Sequence, residues 1–225
     1  MNTAIIVAAG SGERFRSEIP KQFLKIADKP LIVYTIERFE AAPSVDSVVV
    51  VFAAEWIERF EPYRQSFTKV HKVLPGKDTR AGSVQAGLEG VDSSCEIVAV
   101  HDGARPLVSV DEIERTIAKA GETGAACLVA PVTDTIKSVR AGEIAATLDR
   151  DRLRRALTPQ AFRKDVLQRA FELADPENMA TDDSYLVEKL GHPVAIVEGS
   201  SINIKITLPE DLILAEALMR QRFNS

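Results

Sequence analysis

Apolar runs of strand length alternate with amphipathic stretches of helix length along most of this chain. Residues 3–7 read as a strand, followed by a loop through Lys21. Leu31, Tyr34, Thr35, Arg38 and Phe39 recur at helical spacing and predict a helix over 31–41. Residues 48–52 are almost pure valine, the pattern of a strand buried on both faces of a parallel sheet. Helices are predicted at 55–65 and 80–89, and strands at 68–74 and 97–101. Ser109 and Glu112 have the spacing of a capping box, which opens a helix ending near Gly121, and a strand follows at 125–132. This alternation predicts an α/β fold: a Rossmann-like, doubly wound, mostly parallel sheet.

The rhythm breaks at 133–149, which reads as two short strands turning about Ala141-Gly142 with few large apolar residues. A hairpin that cannot bury itself has to lean on another surface, so a protruding arm against a second subunit is expected. Helices at 164–174 and 181–190 and strands at 194–197 and 203–206 complete the pattern. The last helix opens at Thr207-Leu208-Pro209-Glu210, a second capping box. There is no repeat or linker, so residues 1–225 are expected to form a single domain with an arm.

A hydrophobic content of 45% with 27% charged residues rules out intrinsic disorder. The longest apolar run has seven residues, against the ~18 a membrane span needs. No signal peptide is evident, and a cytoplasmic location is expected. Cys95 and Cys127 are too few and too far apart for a disulfide framework or a zinc site. With 28 basic against 33 acidic residues, the net charge of −5 argues against a nucleic-acid partner. The cations are nonetheless gathered in glycine- and proline-bearing loops: Arg14, Arg16, Lys21, Lys77, Arg80 and Arg105. That distribution suits small anionic ligands such as phosphates.

Three loops carry candidate chemistry. Ala8-Ala9-Gly10-Ser11-Gly12-Glu13-Arg14 follows the first strand, and its small residues let backbone N–H groups approach a phosphate. Phe15 stands where a dinucleotide fingerprint needs its third glycine, and no loop supplies the Gly-Lys-Ser/Thr of a Walker A motif. Downstream, Pro20-Lys21-Gln22 offers a fixed lysine as a point charge for a triphosphate. His101-Asp102-Gly103-Ala104-Arg105-Pro106 ends a buried strand, on the edge where open α/β sheets bind ligands. A carboxylate there suits Mg²⁺, and Arg105 suits a second phosphate. The third loop, Gly76-Lys77-Asp78-Thr79-Arg80 with Ser83 beyond it, also follows a strand, so all three should converge. His71 and His192 read as structural or surface residues, and no nucleophile triad stands out.

Together the segments resemble the 2-C-methyl-D-erythritol 4-phosphate cytidylyltransferase family of nucleotidyltransferases. The likeness rests on six ordered motifs: Ala-Ala-Gly-Ser-Gly, Pro-Lys-Gln, His-Asp-Gly-Ala-Arg-Pro, Leu157-Thr158-Pro159-Gln160, Thr181-Asp182-Asp183 and Val197-Glu198-Gly199. It implies transfer of CMP from CTP to methylerythritol phosphate, releasing pyrophosphate. By resemblance, Arg14 and Lys21 are the catalytic cations, and Ala8, Ala9, Gly10, Gly76, Asp78, Ser83 and Gly103 belong to the nucleotide side. Asp102, Arg105, Thr135, Arg150, Thr158 and Lys205 belong to the second substrate, with Asp102 also the magnesium ligand. The arm implies a homodimer with shared sites. Ribitol 5-phosphate cytidylyltransferase is the nearest alternative, disfavoured by Ala-Ala-Gly where those enzymes favour Ala-Gly-Gly. A nicotinamide-dependent oxidoreductase and a non-catalytic nucleotide-binding domain are the alternatives from other classes.

Overall fold

The computed structural model describes residues 1–10, 15, 19–174 and 181–223. Its centre is a seven-stranded sheet. In chain order the elements are β1 (Asn2–Ala8), β2 (Lys25–Ile26), β3 (Lys29–Pro30), α1 (Leu31–Glu40), β4 (Ser47–Phe52), α2 (Ile57–Arg64), β5 (Val70–Pro75) and α3 (Arg80–Glu89). Then come β6 (Ile97–Asp102), α4 (Val110–Thr123), β7 (Ala125–Pro131), β8 (Lys137–Arg140), β9 (Glu143–Thr147) and β10 (Arg154–Arg163). The chain ends with α5 (Lys164–Glu172), α6 (Asp183–Lys189), β11 (Ala195–Glu198) and α7 (Pro209–Phe223).

The strand order is β11-β7-β10-β6-β1-β4-β5. Pairing is parallel except for β10, which runs antiparallel between β6 and β7. Alternation along each strand divides the core into two layers. Ala4, Ile6, Val48, Val50 and Ala99 pack with Ile36 and Phe39 of α1, Phe60 of α2 and Ile113 and Ile117 of α4. Ile5, Val49, Val51, Val98 and Val100 pack with Val84 and Leu88 of α3, Leu167 of α5 and Val187 of α6. The doubly wound expectation therefore holds. A third cluster seats α7, through Ala215 and Met219, on Leu31, Tyr34 and Leu107.

Local signals explain most element ends. Ser109 Oγ accepts from the Glu112 N–H at 3.1 Å while Glu112 Oε2 accepts from the Ser109 N–H at 2.8 Å, completing the predicted box. The helix runs past Gly121 and stops at Gly124, whose φ of +87° is the left-handed conformation that favours glycine. At α7 the returning carboxylate is Asp211 rather than Glu210, accepting from the N–H groups of Thr207 and Leu208 at 2.7 and 2.8 Å. The predicted helix at 55–65 begins as a 3-10 turn, Ala54–Trp56, before α2.

Two expectations are corrected. Residues 203–206 form no strand. Their alternation is satisfied because Ile206 and Ile204 join the α7 cluster while the Ile206 N–H donates to the Ala104 carbonyl at 2.9 Å. Conversely, β10 was not predicted. Its register slips between Ala156 and Gln160, and Pro159, preceded by a cis peptide, lies in that irregularity, the kind of site where a sheet tolerates proline.

The expected hairpin is present as β8 and β9, with Val139 and Ile144 65% and 67% exposed. Among the described residues no helix is long and apolar enough to cross a membrane.

Candidate functional site

The carboxyl ends of β1, β5 and β6 deliver the three loops to one edge, as expected. The Gly103 N–H donates to the Val7 carbonyl at 2.8 Å and the Gly76 N–H to the Phe52 carbonyl at 2.6 Å, tying each loop to its neighbouring strand. Gly76 is required by close approach: a Cβ there would lie 2.4 Å from the Ala9 Cβ and 2.8 Å from Ser83 Oγ. The floor of the first loop is thus pressed against the third. Gln22, 2% exposed, donates to the Ala8 carbonyl at 2.5 Å and fixes the turn Lys21–Phe23 on the end of β1. Lys21 is half-buried there. Against the effect of burial, the N–H groups of Thr207 and Leu208, the Thr207 hydroxyl and the Lys21 charge hold the Asp211 carboxyl below its ordinary range.

Asp102 is the electrostatic centre. Its Oδ1 lies 3.0 Å from Arg80 Nε, and its Oδ2 lies 2.9 Å from Lys205 Nζ and 3.3 Å from Arg105 Nε. Burial favours the neutral acid, but Arg80, Lys205 and Arg105 outweigh it and hold the carboxyl far below the usual carboxylate range. Arg80 reaches on to Asp183 Oδ2 at 2.9 Å, and the two acids keep its guanidinium firmly protonated despite burial. Burial pushes the Asp183 carboxyl up, with Arg80 opposing. At Arg105, burial lowers the proton affinity; Asp102 opposes this, while Arg80 and Arg155 add to it. Three cations against two carboxylates leave a positive surplus that a bound anion would relieve.

A second set of bonds fixes the surroundings. Thr158 Oγ1 accepts from the Asp102 N–H at 3.1 Å and lies 2.9 Å from His101 Nδ1. Asn203, fully buried, donates through Nδ2 to the Thr158 carbonyl at 2.9 Å, and its own carbonyl accepts from Arg105 at 2.8 Å. Gln160 Oε1 accepts from the N–H groups of Asp183 and Ser184, and its Nε2 donates to Asp182 at 2.9 Å, so β10 anchors the start of α6. Burial drives the His101 pKa down to about 3, leaving the imidazole neutral.

Of the residues predicted from sequence, Asp102, Arg105, Thr158 and Lys205 are brought together, with Ala8, Ala9, Gly76 and Gly103 lining the adjoining edge. Gly10 and Asp78 are exposed on their loops. Ser83 is buried, and its hydroxyl lies within hydrogen-bond distance of the Lys77 and Thr79 carbonyls, so it shapes the loop from below. Thr135 lies in the arm and Arg150 opens the 3-10 turn Arg150–Arg152 directly after it, donating to the Thr133 carbonyl at 2.9 Å. Arg14 lies outside the described residues.

The metal expectation fits this geometry poorly. Both oxygens of Asp102 already face cations, so a dication would meet three like charges. Among the described residues no group of three or more His, Cys, Asp or Glu side chains could hold a metal ion. Arg80, Asp183, Gln160, Asn203 and Gln22 were not predicted as site residues. Arg80, Gln160, Asp183 and Gln22 all sit within the quoted motifs, which was the available signal.

A family model described as 2-C-methyl-D-erythritol 4-phosphate cytidylyltransferase matches residues 2–221. The protein of that name from Geobacter metallireducens is 42% identical over 226 residues, covering 97% of each chain. The one from Desulforamulus reducens is 41% identical over 224 residues, covering 97% of this chain and 96% of that protein. Among solved structures, the 4-diphosphocytidyl-2C-methyl-D-erythritol synthase of Anaerococcus prevotii superposes with a TM-score of 0.87 at 29% identity, covering 97% of this chain and 98% of that one. The Thermus thermophilus cytidylyltransferase gives 0.78 at 34% identity, covering 98% and 100%.

Proposed function

The chain belongs to the 2-C-methyl-D-erythritol 4-phosphate cytidylyltransferase family, and from that premise we propose how its residues carry out the family's reaction. The enzyme transfers CMP from CTP to the phosphate of 2-C-methyl-D-erythritol 4-phosphate, giving 4-diphosphocytidyl-2-C-methyl-D-erythritol and pyrophosphate. A phosphate oxygen of the acceptor attacks the α-phosphorus of CTP. A new P–O bond forms on one side while the bond to the bridging oxygen breaks on the other, and pyrophosphate leaves. The acceptor phosphate is already largely ionised near neutral pH (second pKa ~6), so the step needs no strong general base.

Bringing two anions together is the difficulty, and the site's cations answer it. The observation that carries this reading is the Asp102 carboxylate gripped by Arg80, Arg105 and Lys205 at the carboxyl edge of the sheet. Asp102 holds Arg105 and Lys205 ready, and the surplus charge receives the acceptor phosphate. Lys21, at the turn on the end of β1, is assigned to the triphosphate, and Arg14 takes the same role by its motif alone. The small residues Ala8, Ala9 and Gly10 and the loop 76–79 receive the nucleotide. Fixed placement of both substrates supplies much of the remaining acceleration.

A magnesium requirement is part of the proposal, with the ion arriving on the triphosphate rather than on Asp102. The homodimer is proposed on the arm: residues 143–150 are all exposed, and a second copy would cover Val139 and Ile144 while receiving Thr135 and Arg150 at its site. A cytoplasmic location belongs to the same reading. The test is pyrophosphate release by purified protein with CTP and methylerythritol phosphate, run beside ribitol 5-phosphate, UTP and metal-free controls. Release with CTP and methylerythritol phosphate alone is expected; faster turnover of ribitol 5-phosphate would overturn the acceptor.

A further inference from the structure

His101 is fully buried directly behind the acceptor residues, on the face of the sheet opposite to Asp102. Its ring lies 4.8 Å from that of Phe39, centroid to centroid. Nε2 is 3.1 Å from the Arg105 carbonyl oxygen and Nδ1 is 2.9 Å from Thr158 Oγ1. A carbonyl oxygen can only accept, so the proton of the neutral ring sits on Nε2. Nδ1 is then an acceptor, and the Thr158 hydroxyl has to donate to it. The same Oγ1 accepts from the Asp102 N–H at 3.1 Å, which occupies one of its two lone pairs. The chain of bonds starts and finishes in a single turn, closed by the Arg105 N–H on the Asp102 carbonyl at 3.1 Å.

We propose that His101 is a positioning residue of the acceptor subsite: it orients the Thr158 hydroxyl so that its one remaining lone pair accepts from a hydroxyl of the polyol phosphate, and it holds the turn that aims Arg105. This rests on the reading that the site takes a polyol phosphate. Its consequence is a polarity. Thr158 with its proton committed to His101 selects a hydroxyl donor and offers nothing to a phosphate oxygen, which is left to Arg105 and Lys205. Asn203 fixes the same pair of residues from the other side, through the Thr158 carbonyl and the Arg105 guanidinium.

Four variants and one spectrum test this. His101→Phe keeps ring volume and the contact with Phe39 but removes both hydrogen bonds; His101→Asn retains an acceptor on the Nδ1 side. In the full-length enzyme, His101→Phe is expected to raise the KM for methylerythritol phosphate about tenfold, with the KM for CTP within about twofold. His101→Asn should recover most of that loss, and Thr158→Val should raise the KM much less in the His101→Phe background than in the parent. Equal rises in both KM values, no recovery in His101→Asn, or additive losses would each overturn the proposal. Nitrogen NMR of the ring in the unliganded protein reads the tautomer without any turnover: a proton on Nε2 is expected, and one on Nδ1 overturns the proposal. If the parent enzyme shows the expected tautomer but gives no product with methylerythritol phosphate, the acceptor reading itself fails, and the role of Thr158 toward a polyol fails with it.

Discussion

Arg80 Nε and Asp102 Oδ1 meet at 3.0 Å across the gap between the start of α3 and the end of β6, and the same guanidinium reaches Asp183 at the start of α6. One side chain thus locks three elements around the candidate site. The pair sits where burial is deep enough for a missing partner to be costly, since the Asp102 and Asp183 side chains are only 9% and 1% exposed.

Replacing Arg80 by methionine should destabilise the protein by about 3 kcal/mol, because two buried carboxylates lose a shared partner. Arg80→Lys should recover only part, since one ammonium cannot reproduce the planar guanidinium fork that serves both acids. Adding Asp183→Asn to Arg80→Met should restore some stability by removing an uncompensated charge. Urea denaturation of the four proteins checks all three statements; an unchanged midpoint in Arg80→Met would refute them.

Asp102 makes stability depend on acid in a defined direction. Its folded carboxyl is held far below the unfolded value of about 3.9, so its contribution is complete above that value. As pH falls below it, the unfolded chain takes up the proton first, and stability is lost at up to about 1.4 kcal/mol per pH unit. The stability difference between the parent and Asp102→Asn should therefore be flat above about pH 5 and shrink below about pH 4. Denaturation curves between these conditions measure it, and a difference that stays constant in acid would contradict the assignment.

Lys21→Ala should lower kcat by about 10²-fold, the scale of removing one transition-state stabiliser, with little change in stability because the side chain is half-buried at a turn. Pyrophosphate release gives the rate and thermal unfolding the control. A fully active variant would mean that Lys21 has no part in catalysis.

Replacing residues 137–147 by a short glycine-serine turn should leave the sheet folded and convert a dimer to a monomer on gel filtration, with activity abolished. A fully active monomer would show that Thr135 and Arg150 serve no site in a second copy.

The fold was legible where hydrophobic periodicity decides structure. The valines of β4 and the capping box of α4 each say locally what they become. β10 was hidden for the same reason in reverse: arginines at 154, 155 and 163 and a proline at 159 speak against a central strand, and only the neighbours on both sides and the register slip accommodate them. The site divided in the same way. Asp102, Arg105 and Lys205 stand in motifs whose chemistry can be read from residue type. Arg80 was read as the start of a helix, correctly, but its partners lie 22 and 103 positions along the chain and are set by how α3, β6 and α6 pack. His101 was invisible as a functional residue because its bond to Thr158 depends on a strand the sequence did not announce.

The register slip in β10 also limits how this chain can change length. On one side of it lies the arm, solvent-facing and packed on little of its own subunit, where residues can be gained or lost with small effect on the sheet. On the other side, Gln160 and Ala161 point to opposite faces, one toward the start of α6 and the other into the layer beneath α4. A single inserted or deleted residue between 157 and 162 would exchange them, bringing an amide into the apolar layer and a methyl group against the backbone of Asp183 and Ser184. Variation in length among descendants of this sequence should therefore collect before Leu153 and stop abruptly at Leu157.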